Sequence, residues 1–297
     1  MRRILLLLAG FAPVVVAAQG SPGTEFWRLA ATTLPVPPAL AAGGTGAFWN
    51  PAQPAAGERA SFALDVIETA SMIGASGVLV TGRVRVRALG RVGLVYGRMG
   101  IGDLVRTSLS PEPEPGGIPC YTQSVGLHWS AGEGGRTTVG ATLAYHDTRV
   151  DIHGSNRWTF DVGARRAFGD ALSIAAATHF FSRLATDEPA QDIYGGIELR
   201  LWRGPLWGTR GALHGRYGIS TAHGFTADHV VGAGLELSDQ LAADLAVARE
   251  GSFGDAGWRV VAGVRVALGR YRVSLAREAG VNDVGPAYRV GLEGRLP

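Results

Sequence analysis

The sequence predicts an all-β fold: a transmembrane antiparallel β-barrel of about 14 strands with a short N-terminal hatch. Three observations predict it. Side chains alternate in character with period two from about residue 59 to the C-terminus. Short and long connections alternate along the chain. The chain is fairly apolar, yet no run beyond the N-terminus reaches the ~18 consecutive apolar residues of a spanning helix.

Composition supports this reading. Of 297 residues, 44 are glycine, about twice the usual ~7% share. Charged residues are 18%, below the ~25% of soluble domains, and the mean hydropathy is slightly positive at +0.12. A barrel wall dilutes its apolar residues by alternation, which gives this balance. There is no lysine, so all 28 basic side chains are arginine. A net charge of +3 gives no reason to expect nucleic acid. The single cysteine, Cys120, leaves no internal disulfide.

In chain order, residues 1–18 read as a secretory signal peptide. Arg2-Arg3 is its basic start, Ile4 to Val16 its apolar core, and Ala17-Ala18 a small-residue cleavage site before Gln19. Export places the protein in a bacterial outer membrane, with membrane lipid as its surroundings. Residues 19–58 alternate poorly and carry Pro35, Pro37, Pro38, Pro51 and Pro54. They read as a hatch or plug folded into the lumen, or as a loose tail. The barrel domain is 59–297. Its strands are expected at 59–70, 74–87, 90–99, 120–131, 136–147, 156–167, 171–181, 191–202, 206–217, 227–237, 241–249, 257–268, 270–279 and 286–295.

Connections after even-numbered strands are short: 88–89, 132–135, 168–170, 203–205, 238–240 and Gly269. Those after strands three, five, seven, nine, eleven and thirteen are expected to be longer. The longest, 100–119, holds Pro111, Pro113, Pro115 and Pro119. Short periplasmic turns and longer outer loops are the outer-membrane pattern. With the first strand running outward, Trp129, Trp202, Trp207 and Tyr271 fall at one set of strand ends. Tyr96, Tyr145, Trp158, Tyr217, Trp258 and Tyr288 fall at the other. Two aromatic girdles are expected at headgroup level.

The polar face of the alternation supplies the candidate lumen-lining residues: Asp65, Arg83, Arg85, Asp161, Arg165, Glu198, Arg200, Arg210, His214, Arg259, Arg265 and Glu293. His128, His146, Arg157, Arg216, Asp244, Arg272, Arg289 and Arg295 share that face. Basic groups outnumber acidic ones. Such a lumen can attract carboxylates or other anions. It can equally form an Arg–carboxylate network that stiffens the wall. No GxSxG elbow, HExxH zinc motif, Cys/His cluster, P-loop or dinucleotide fingerprint is present. The expectation is therefore no enzyme, no catalytic residue, no metal and no cofactor.

One stretch remains, Ala47-Phe48-Trp49-Asn50-Pro51-Ala52, just before the first strand. It resembles the signature at the hatch-to-barrel junction of the FadL/PorV-like outer-membrane barrels. That superfamily includes long-chain fatty-acid transporters and the PorV and PorQ components of type IX secretion. The resemblance implies a 14-stranded barrel with an N-terminal hatch, and passive uptake of a hydrophobic or amphipathic small molecule. Phe48, Trp49, Asn50 and Pro51 would pin or gate the hatch, with the two rings wedged into the barrel wall. The alternative is a PorV-like scaffold that binds secretion-system proteins through its outer loops, which the proline-rich loop favours. The sequence departs from the family in two ways. The stretch before the motif, 39–46, is compressed and lacks an acidic residue, and the C-terminus is Arg295-Leu296-Pro297 rather than an aromatic.

Overall fold

The computed structural model describes residues 23–54, 57–87, 89–106, 117–133, 136–179, 192–206, 208–222, 226–251, 257–280 and 285–297. The segment 1–18, Trp207 and most of the proline-rich loop lie outside the described residues.

Fourteen strands follow one short helix: α1 (Thr24–Thr32), then β1 (Ala60–Glu68), β2 (Ala75–Val86), β3 (Gly90–Ile101), β4 (Cys120–Glu133), β5 (Thr137–Val150), β6 (His153–Phe168), β7 (Leu172–His179), β8 (Asp192–Leu206), β9 (Thr209–Ala222), β10 (Asp228–Glu236), β11 (Leu241–Glu250), β12 (Gly257–Leu268), β13 (Tyr271–Glu278) and β14 (Ala287–Leu296). Each strand pairs antiparallel with its sequence neighbour, and β1 pairs with β14, closing the barrel. Closure gives every strand a paired neighbour on both sides.

The alternation read from the sequence becomes inside and outside. Along β1, Ser61, Ala63, Asp65 and Ile67 are buried, while Phe62, Leu64 and Val66 are exposed. β12 repeats this, with Arg259 and Val261 inside and Val260 and Val264 outside. Large exposed apolar side chains occur on strands all around the wall, among them Leu127, Phe160, Leu245, Leu275 and Val290. An apolar exterior over a polar interior is the arrangement of a barrel surrounded by lipid.

Short turns join the even-numbered strands to the next at one end, called here the turn end. The loops lie at the other, the loop end. β12 and β13 are joined by Gly269-Arg270 alone, with Gly269 at φ 62°, a backbone that disfavours a Cβ.

Two connections differ from expectation. β5 and β6 run past Asp147 and Asn156 and close through Asp151-Ile152, so no long loop follows the fifth strand. Asp151 takes the left-handed turn conformation, φ 56°, which short polar residues tolerate in tight hairpins. At the turn end, 203–205 is not a connection. β8 continues to Leu206, shifted in register between Arg200 and Trp202. This bulge leaves both Leu201 and Trp202 exposed.

Of the expected girdle residues, Tyr96, Tyr145 and Trp158 share one hydrogen-bonded row with Val125 across β3 to β6. One step toward the loop end, the row is Arg98, Gln123, Asp147 and Asn156. Gln123 donates to Asp147 at 2.9 Å. Exterior side chains thus change from aromatic to polar within two residues on these strands.

Candidate functional site

The lumen is occupied by the described part of the N-terminal segment, 23–54. Helix α1 has Glu25 in its first turn, where the helix dipole favours a carboxylate. It buries Trp27 and Ala30, three residues apart on one face. It ends where Thr33 turns its hydroxyl back to Ala30 O at 2.8 Å, two residues before Pro35. Two short 3-10 turns follow, Pro38–Leu40 and Gly44–Phe48.

Contacts place this segment inside rather than beside the barrel. Trp27 lies against Gly97 of β3, Pro35 against Gly263 of β12 and Pro37 against Gly218 of β9. Leu40 lies against Gly196 of β8, Asn50 against Gly163 of β6 and Pro51 against Gly140 of β5. Strands on all sides of a closed wall can touch one segment only from within. At each point the wall residue is glycine, because a Cβ there would collide with the segment.

Phe48 and Trp49 are buried with Trp27, Ile67, Leu79 and Met99 in the main apolar cluster. Ring centroids lie 4.8 Å apart for Trp27–Phe48 and 5.0 Å for Phe48–Trp49. The rings therefore pack on the segment and the inner strand faces, where the expectation had them wedged into the wall itself. Asn50 donates to Ala39 O at 2.5 Å and accepts from Ala52 N at 2.8 Å. Gln53, which the sequence reading did not single out, donates to Asn50 O at 2.7 Å and accepts from Gly43 N at 2.9 Å. Pro51 holds Asn50 out of helical geometry. The motif thus closes the segment on itself.

Charged side chains tie the segment to the wall. Asp65 and Arg289 pair at 2.6 Å, and Asp65 also accepts the Thr45 hydroxyl. Arg28 pairs with Asp192 at 2.9 Å. Burial alone would lower the Arg28 guanidinium, but the Asp192 carboxylate outweighs this and holds it above the ordinary arginine value. Arg165 donates to Leu40 O at 3.2 Å, and Arg91 to Pro54 O at 3.0 Å. Thr45, Arg28, Asp192 and Arg91 were not singled out beforehand. Their only sequence signal is a polar residue at inward parity or in an irregular segment.

Other candidates pair among themselves. Arg216 reaches Glu198 at 2.6 Å and Asp244 at 2.5 Å, and Asp244 also meets Arg265 at 3.0 Å. Arg272 and Arg295 both meet Glu293, at 3.2 and 2.9 Å. Arg259 pairs with Glu250. Asp161 meets His179 at 3.0 Å. His214 lies 3.7 Å from Glu236, and Arg200 3.7 Å from Asp170. Arg83 is buried. Arg85 and Arg210 correct the expectation: they share the inward parity but stand exposed at the turn end, beyond the packed interior. Among the described residues, no three His, Cys, Asp or Glu side chains converge as a metal site.

Two of the cavities among the described residues lie between the segment's Leu34–Val36 stretch and the wall. The larger, about 120 Å³, lies between Leu34–Val36 and the Arg265, Arg272 and Glu293 side of β12–β14. The smaller, about 60 Å³, lies between α1 and Tyr194, Ser220, Glu250 and Arg259. Leu34 and Val36 line both.

No protein-family model matches the sequence, and no curated protein matches it. Solved structures do match. The Ralstonia pickettii toluene transporter TbuX aligns over 86% of this chain and 94% of its own, at 14% identity and a TM-score of 0.54. The P. putida toluene transporter TodX aligns over 87% and 96%, at 11% identity and 0.53. The likeness is one of fold: this chain is an outer-membrane-type β-barrel like those two. At such identities the likeness concerns the architecture and carries no residue roles.

Proposed function

We propose that this protein is an outer-membrane channel-type barrel for passive passage of small hydrophobic or amphipathic molecules, with the N-terminal segment as its hatch. The observation that carries the reading is the pair of cavities separated by Leu34 and Val36. Each combines apolar lining, Leu34 and Val36 among it, with charged side chains, Arg272 and Glu293 at the larger and Glu250 and Arg259 at the smaller, which suits an amphipathic passenger. The larger is of the order of the ~150 Å³ that accepts a benzene-sized ligand. Both are below the ~300–1,000 Å³ of ordinary ligand sites, so passage requires the segment to shift. The toluene transporters that share the fold are consistent with such a passenger. Export by residues 1–18 and the absence of catalysis belong to the same proposal.

The test is uptake of labelled octanoate or toluene by cells whose outer membrane carries the protein, against cells without it. Uptake should rise several-fold with the protein and fall to baseline with Leu34→Trp, which fills the shared wall of the two cavities. Equal uptake by both cell types overturns the reading.

A further inference from the structure

Three charged side chains inside the barrel lean toward a neighbouring strand at its glycine row partner or neighbour. Asp65 on β1 leans over Gly291 of β14, its row partner, toward Arg289. Arg216 on β9 crosses β10 at Gly234, where a Cβ would sit 2.6 Å from its Nη2, and reaches Asp244 on β11. Arg83 on β2 starts out over its row partner Gly93 of β3, where a Cβ would sit 2.8 Å from its Cγ and would also collide with the Gly82 carbonyl. At Gly291 and Gly234 a Cβ would stand in the way of the crossing side chain.

The first two side chains end on an opposite charge. The third does not. The Arg83 row continues through Gly93 to His128 on β4 and Thr142 on β5. Arg83 is 6% exposed and His128 2%. Arg83 Nη1 and His128 Nε2 are both buried and without a hydrogen-bond partner among the described residues. His128 spends its other nitrogen on Thr142, at 3.2 Å. The charges around Arg83 do not resolve this. Arg91 and Arg295 repel it while Glu58 and Glu293 attract it, but those carboxylates are engaged by Arg91, Arg272 and Arg295. A buried guanidinium with an open donor is costly unless a partner supplies negative charge.

We propose that Arg83 Nη1 and His128 Nε2 hold a small monovalent anion, of halide or carboxylate chemistry, between β2 and β4 toward the turn end of the lumen. The guanidinium supplies the charge, and the imidazole donates a second hydrogen bond through Nε2–H while Nδ1 accepts from Thr142. The site stands independently of any transport role, because both residues belong to the wall.

Bromide is the probe. Crystals of the full-length mature protein grown in sodium bromide should show an anomalous peak within hydrogen-bonding reach of both nitrogens. The peak should vanish in Arg83→Gln, whose folding is checked by the heat-modifiable gel shift of intact barrels. In detergent at constant ionic strength, the melting temperature of the wild type should rise saturably as bromide replaces a bulky anion. Arg83→Gln should not respond, and His128→Leu should need several-fold more bromide. No peak, a peak that persists in Arg83→Gln, or a Glu58 or Glu293 carboxylate found on Arg83 instead overturns the proposal. So does an equal melting response in wild type and Arg83→Gln.

Discussion

Asp65 on β1 and Arg289 on β14 meet at 2.6 Å across the strand pair that closes the barrel, and both also touch Thr45 of the lumen segment. One ion pair therefore serves two junctions, the seam of the wall and the attachment of the segment. Arg289 extends the second junction to Ala30 O at 3.4 Å, at the end of α1. Asp65→Asn leaves a buried guanidinium without its counter-charge, which costs about 3–5 kcal/mol. Urea unfolding followed by gel shift should show that loss. The apolar pair Asp65→Leu with Arg289→Met should recover much of it, since the desolvation penalty of both charges is then removed. If Asp65→Asn unfolds at the wild-type urea concentration, the pair does not hold the seam.

Asn50 works within the segment rather than across to the wall. Its two hydrogen bonds, to Ala39 O and from Ala52 N, are buried. Asn50→Ala orphans both backbone groups, at about 1–3 kcal/mol each. The barrel strands lose no contact with one another, so the gel shift should survive. Hydrogen exchange should rise across 39–53 and stay unchanged in β4 and β5. Uniform exchange across the chain would mean that segment and wall unfold together.

Gly163 and Gly140 mark where the motif rests on the wall, since a Cβ at Gly163 would collide with Asn50 Oδ1 and one at Gly140 with the Pro51 carbonyl. Gly163→Val should therefore push the segment off β6, at the ~1–3 kcal/mol of overpacking, while leaving the strand ladder able to form. Limited proteolysis should then cut within 23–54 faster than in the wild type. Gly82 provides the control, because a Cβ there meets nothing, and Gly82→Val should leave the cleavage rate unchanged.

These glycines also show what the sequence could and could not convey. Strand order and limits were legible because lipid outside and polar packing inside impose period two on every strand. Legibility failed where that contrast fades. On β5 and β6 the outward residues Asp147 and Asn156 are polar, and the strands continue beyond them to Val150 and His153. At Trp202 a bulge resets the parity. Arg85 and Arg210 have the inward parity of a lining residue, but parity does not say how far along the axis a side chain sits. The seat of the segment was hidden for a different reason. Gly140, Gly163, Gly196, Gly218 and Gly263 look like any small residue in a strand, and only the distant Pro35–Pro51 stretch gives them a purpose.

The same seat offers a direct way to stop the segment from moving. A Cβ built at Gly196 of β8 lies 3.3 Å from the Ala39 Cβ, close to the ~3.5–4.5 Å of a disulfide. Leu40 must turn aside to admit it. Ala39→Cys with Gly196→Cys, in a Cys120→Ser background, should therefore cross-link the segment to the wall under oxidation. If passage requires the segment to shift, oxidised protein should take up octanoate at the rate of cells without it, and reduction should restore uptake. Uptake that persists in fully oxidised protein would place the path elsewhere and leave the segment as a fixed filling of the barrel. The cross-link leaves Arg83, His128 and the Asp65–Arg289 pair unaltered, so loss of uptake would report on motion rather than on stability of the wall.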